Sequence, residues 1–314
     1  MLAPQEFDPI EAGRRLGHDH HCLSHIPHQA DWPLPLQEGF CQAAAQRLPR
    51  RQADRLQRKW LQLRLNAWRR GRVVATDVTP RLLQHLDLSH CPVTRQRLSH
   101  GQQTDTDASV DRLNNDGAYA ASNLALMSVR ANRAKGARSF EQVLALARAP
   151  QPTDGLQPVE WLRLAVLMEG PAFATRHHLA PLLPLCAPLP ACSARLALQQ
   201  IQRLFTLDAA TSVGKNRLVR VFRPAGASTD ATRRLRWLAD TVQQGLQRLS
   251  ADEACWDVWL QPPVMDALRL WRDALDPRGW ALAAALSGQQ AGSRALTPDR
   301  LRAWHLPTRG YLAL

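Results

Sequence analysis

The sequence predicts a mainly α-helical protein with a small unit of strand, loop and helix near residue 110 and a helical C-terminal half. Three observations predict it. Apolar residues recur at spacings of three and four on both sides of that unit, which is the period of a helix with one buried face. A hydrophobic share of 45% over 314 residues supplies a sizeable core and excludes wholesale disorder. One stretch, Cys91 to Gly136, replaces the helical period with β-like and turn-rich words.

Residues 1–72 are expected to form a basic N-terminal helical region. Its opening carries His18, His20, His21, Cys22, His25 and His28, with Cys41 further on. Cys22 and His25 stand at a zinc-like spacing, and imidazole with thiolate suits Zn²⁺. Pro27 and Pro33 argue against one helix holding such ligands, so the competing expectation is a polar, partly mobile segment. A helix is predicted from Gln42 to Arg70, where Leu56, Trp60, Leu63 and Ala67 make a buried stripe. Arg47, Arg51, Arg55 and Arg58 run along another face of it. Residues 41–100 hold 13 basic against three acidic side chains, which is most of the net charge of +13. Asp54 is the lone acid among those arginines, so the usual i,i+4 ion pairs are absent. The row suits a phosphate backbone, with a solvated charged face as the alternative.

Residues 73–148 form the expected central module. Ser109-Val110-Asp111-Arg112-Leu113 reads as a strand and Asn114-Asn115-Asp116-Gly117 as a turn. Ser122-Asn123 is expected to cap a helix beginning near Leu124, and the segment closes on Asn132-Arg133-Ala134-Lys135-Gly136, with Gly136 suited to a helix end. The words Val110-Asp111-Arg112, Ser122-Asn123-Leu124 and Asn132-Arg133-Ala134-Lys135-Gly136 resemble the HNH (His-Me finger, ββα-metal) endonucleases over about residues 88–140.

The resemblance implies a ββα-metal module in which Asp111 and Asn132 hold one Mg²⁺ or Mn²⁺ against the scissile phosphate of DNA. It implies that Asn123 ties the loop to the strand and that Arg133 and Lys135 face the nucleic-acid backbone. Two departures stand out. Arg112 occupies the place of the family's general-base His, and a guanidinium cannot take a proton from water at neutral pH. His90 and His100 are the substitute candidates, and water deprotonated by bulk solvent, with Arg112 on the phosphate, is a further route. Many relatives also brace the module with two Cys pairs on zinc. Here Cys91 alone remains, with Ser128 and Ala131 at the second pair's places, so no zinc is expected and Leu98, Val110, Leu124 and Leu126 should pack instead.

A Pro-rich linker is expected at 149–158 and a helical domain at 159–314. Leu235, Leu238, Val242, Leu246 and Leu249 form one apolar stripe there, and Val264, Leu268, Trp271 and Leu275 another. Gly214-Lys215 lacks the rest of a phosphate loop. Leu179 to Cys192 is apolar but broken by four prolines, so no membrane span is expected, and the cysteines are too scattered for a disulfide framework. These features predict a cytoplasmic protein that meets nucleic acid and no membrane. The sequence leaves three functional readings: a divalent-metal-dependent DNA endonuclease, a catalytically inactive HNH scaffold that binds nucleic acid and docks protein partners through its C-terminal half, and a structural helical protein whose motif match is coincidental.

Overall fold

Asp8 opens helix α1 (Pro9–Cys22) by accepting the Ile10 N–H at 2.8 Å, and Pro33 precedes helix α2 (Leu34–Ala45). The computed structural model describes residues 8–23 and 32–290. α1 and α2 pack backbone to backbone. A Cβ on Gly17 would lie 2.0 Å from the Leu36 carbonyl oxygen, and one on Gly39 would lie 1.9 Å from that of Arg14. The expected polar, mobile segment is therefore corrected for residues 8–23. His20 and His21 point into the core, their ring centroids each 5.1 Å from Trp32 and Phe40 respectively. Among the described residues no group of three His, Cys, Asp or Glu side chains converges as a metal site, and His25 and His28 lie outside them.

The long helix expected from Gln42 to Arg70 is two helices. α2 stops at Ala45, Arg47 takes a left-handed φ of 54°, and the Leu48 N–H returns to the Ala43 carbonyl. Pro49 then bars continuation. Helix α3 (Arg55–Arg69) starts afresh on a capping box, with Asp54 accepting the Gln57 N–H and the Gln57 side chain accepting the Asp54 N–H. Arg47 and Arg51 thus sit on a loop and do not form one helical row with Arg55 and Arg58. α3 is buried on two sides. Leu61 and Leu65 join Leu16, Leu36 and Phe40, while Leu63 and Ala67 pack with Leu82 and Leu83 of helix α4 (Pro80–Leu86) and with Tyr119 and Leu124. It forms a wall between the N-terminal helices and the central unit.

That unit is strand β1 (Ala108–Arg112), strand β2 (Leu124–Ser128) and helix α5 (Val129–Lys135). The strands are antiparallel, with Asp111 opposite Ala125. Ser122 and Asn123 lie in a 3₁₀ turn before β2 and do not cap a helix. Ser128 caps α5 instead, its Oγ accepting the Ala131 N–H at 3.2 Å, and Gly136 ends the helix with a φ of 50°.

Helices α6 (Phe140–Ala147), α7 (Pro158–Ala172), α8 (Ala197–Asp208), α9 (Ser212–Phe222), α10 (Thr229–Gln247), α11 (Pro262–Asp273) and α12 (Pro277–Gln290) complete the described chain. Both predicted C-terminal stripes face the interior, on α10 and α11. The chain is thus mainly helical with one two-stranded sheet among the described residues. Its largest apolar core runs unbroken from Cys91, Val93 and Met127 through Trp161 to Trp259 and Trp271. Residues 149–158 do not interrupt it. Leu156 is fully buried there, and the Trp161 indole donates to the Thr153 carbonyl at 3.1 Å. Arg95 adds a two-pronged ion pair to the buried Asp257, joining the segment before β1 to the C-terminal half. No described helix is long and apolar enough to cross a membrane.

Candidate functional site

A cleft of about 450 Å³ opens between α3 and the central unit. Lys59, Gln62 and Asn66 line it from α3 and Arg70 from the cap that follows, at spacings of three, four and four. Ser109 and Asp111 face them from β1, and Asn132 from α5. Arg72 and Tyr119 are also in the lining. Three of the sequence-predicted residues, Asp111, Arg112 and Asn132, therefore do meet in one recess.

Asp111 is the cleft's single carboxylate, and it is already paired. The Lys135 ammonium lies 2.8 Å from its Oδ2 and 2.9 Å from the Asn115 Oδ1. Lys135 is 0% exposed, against 15% for the Asp111 side chain. The expectation that Lys135 faces a nucleic-acid backbone is thus corrected: its buried ammonium points inward, to the half-buried Asp111 carboxylate. Arg112 is also turned inward. Its Nη1 donates to the carbonyls of Asn115 at 2.9 Å and Gly117 at 2.8 Å, and its guanidinium lies over the Tyr119 ring. It shapes the loop after β1 while lining the cleft, and a guanidinium does not act as a base at neutral pH.

Asn123 staples the same loop. Its Oδ1 accepts the Asn114 N–H at 2.8 Å, and its Nδ2 donates to the carbonyls of Asn114 and Ala118. Asn132 donates from Nδ2 to the Ser109 Oγ at 2.8 Å, fixing α5 against β1. Arg133 is 71% exposed and pairs with Asp105, away from the cleft lining. Arg55 pairs with Asp87, with the His100 ring 3.4 Å from its Nη1. His90 is exposed beside Ser89. Neither histidine lines the cleft, so neither replaces the missing base there.

Where the resemblance would place Cys pairs, the chain forms a hydrogen-bonded knot around Cys91. The Cys91 sulfur accepts the N–H groups of Thr94 at 3.4 Å and Ser128 at 3.3 Å. Cys91, Thr94, Ser128 and Ala131 are all buried together at this point. Leu98, Leu124 and Leu126 are buried as expected, and Val110 is half-buried.

Comparison with protein-family models, curated proteins and solved structures finds no match to this chain. The cleft is therefore read from its own chemistry. A divalent cation needs several hard oxygen ligands carrying negative charge. Here the one carboxylate is neutralised by a buried ammonium, and the neighbouring Asn132, whose Nδ2 bonds Ser109, adds only a neutral amide oxygen. The residues present do not fit the metal that the resemblance implies. What the cleft offers instead is positive charge beside neutral amides. The Lys59 ammonium donates to the Ala108 carbonyl at 2.9 Å, and burial pushes its pKa below the usual lysine value. Arg70 reaches the Tyr119 hydroxyl at 3.3 Å. The row on α3 and its cap escapes a search for arginine runs because it mixes Lys, Gln, Asn and Arg, yet its spacing was visible.

Proposed function

We propose that this chain is a nucleic-acid-binding protein built on an HNH-like ββα scaffold whose centre has exchanged its metal for an internal ammonium. The Asp111–Lys135 pair carries the reading, since the ammonium 2.8 Å away neutralises the carboxylate that a metal would need. Lys59, Arg70 and Arg72 support it, as they leave the cleft with an excess of positive charge for phosphate. Arg112 in the loop-holding role supports it from the side of catalysis, because the cleft lining holds no histidine and its one carboxylate is paired.

The test is supercoiled plasmid with pure protein and Mg²⁺ or Mn²⁺. The expected result is binding without cleavage, weakening steeply with salt. Arg70→Ala and Arg72→Ala should each lower affinity and reduce the salt slope by about one. Metal-dependent nicking that disappears in Asn132→Ala would overturn this and return the chain to the endonucleases.

A further inference from the structure

We infer that the cleft admits a single-stranded stretch of nucleic acid, with one unpaired base inside it, in preference to a duplex. This rests on the nucleic-acid reading proposed for the cleft and specifies the partner's form.

Size comes first. About 450 Å³ lies in the range of recesses that enclose a small ligand, roughly 300–1,000 Å³, and suits one nucleotide. The walls are also fastened. Lys59 bonds the Ala108 carbonyl, Arg70 bonds the Tyr119 hydroxyl, and Leu63, Tyr119 and Leu124 share one apolar cluster beneath. An HNH-like unit that met a duplex would set its strands and helix into a groove. Here α3 stands over the far side of the cleft from β1, tied to it by the Lys59–Ala108 bond.

The lining chemistry points the same way. Gln62 and Asn66 lie between the cations on α3, are exposed, and have no side-chain hydrogen bond to any described residue. Each amide offers both donors and an acceptor, the combination that reads the pairing edge of a base. In a duplex that edge is taken by the opposite strand. Asn132 faces them, with its Nδ2 held by Ser109. Lys59 and Arg70 flank the two amides along α3 and its cap, placed to hold the phosphates on either side of an inserted base.

The experiment is fluorescence anisotropy on the full chain with a labelled DNA strand of about 12 nucleotides, the matching RNA strand and the matching DNA duplex. At least one of the two single strands should bind about tenfold more tightly than the duplex, and the difference between the two strands assigns the sugar. The double variant Gln62→Ala/Asn66→Ala alters only exposed side chains. It should weaken strand binding about tenfold while leaving duplex binding unchanged. Equal or tighter binding of the duplex, or strand binding unaltered in the double variant, overturns the inference while the nucleic-acid reading stands. Absence of salt-sensitive binding to all three overturns both.

Discussion

Lys135→Met should destabilise the protein by about 3–5 kcal/mol, the range for stripping one partner from a buried ion pair. The side chain volumes are similar, so the loss is electrostatic. Met leaves the Asp111 carboxylate at 15% exposure without its counter-charge, and leaves the Asn115 Oδ1 without its donor. Asn115 in turn holds the carbonyls of Gly136 and Arg138 through its Nδ2, so the end of α5 should loosen as well. Urea denaturation of the single variant beside Asp111→Asn/Lys135→Met separates charge from packing. The double variant should recover much of the loss, since no uncompensated charge remains. If it is no more stable than the single one, the pair is not what holds the centre.

The helices were legible in the sequence wherever one face was apolar and continuous. α10 and α11 emerge directly from their stripes, as does the inner face of α3. The break between α2 and α3 was also written there, in Pro49 and in the Asp54–Gln57 capping box. The arginine spacing across it matched a helix only by coincidence. β2 was harder to see. All five of its residues are buried, so Leu124–Ser128 has no alternation to separate a strand from a helix. Partnership was not legible at all. A lysine in the last turn of a short helix looks the same in sequence whether it meets phosphate or a carboxylate. Only the pairing of β1 with β2, and the placing of α5 against them, decides that Lys135 points at Asp111. The packing of residues 149–158 was hidden for a similar reason: prolines mark where helices stop, but the burial of Leu156 depends on what lies opposite.

The second large effect lies in α7, far from the cleft in sequence. Glu169 is 2% exposed, and burial lifts its carboxyl to about 8 from an ordinary 4.5, with the Gln199 amide at 2.8 Å as its partner. The folded protein therefore keeps a proton that the unfolded chain releases. Between pH 4.5 and 8 the native state binds more protons, so stability falls as pH rises through that window and levels off above it. At pH 7 the penalty is on the order of 3 kcal/mol. Glu169→Gln mimics the protonated form and still accepts from Gln199. It should match the wild type near pH 4.5 and exceed it at pH 8, with a melting temperature higher by roughly 5–10 °C. The wild type's slope of stability against pH should flatten in the variant. An unchanged slope would mean that Glu169 ionises as freely in the folded protein as in the unfolded chain. A uniform loss at every pH would mean instead that the carboxylate itself is required by the packing of α7 against α8.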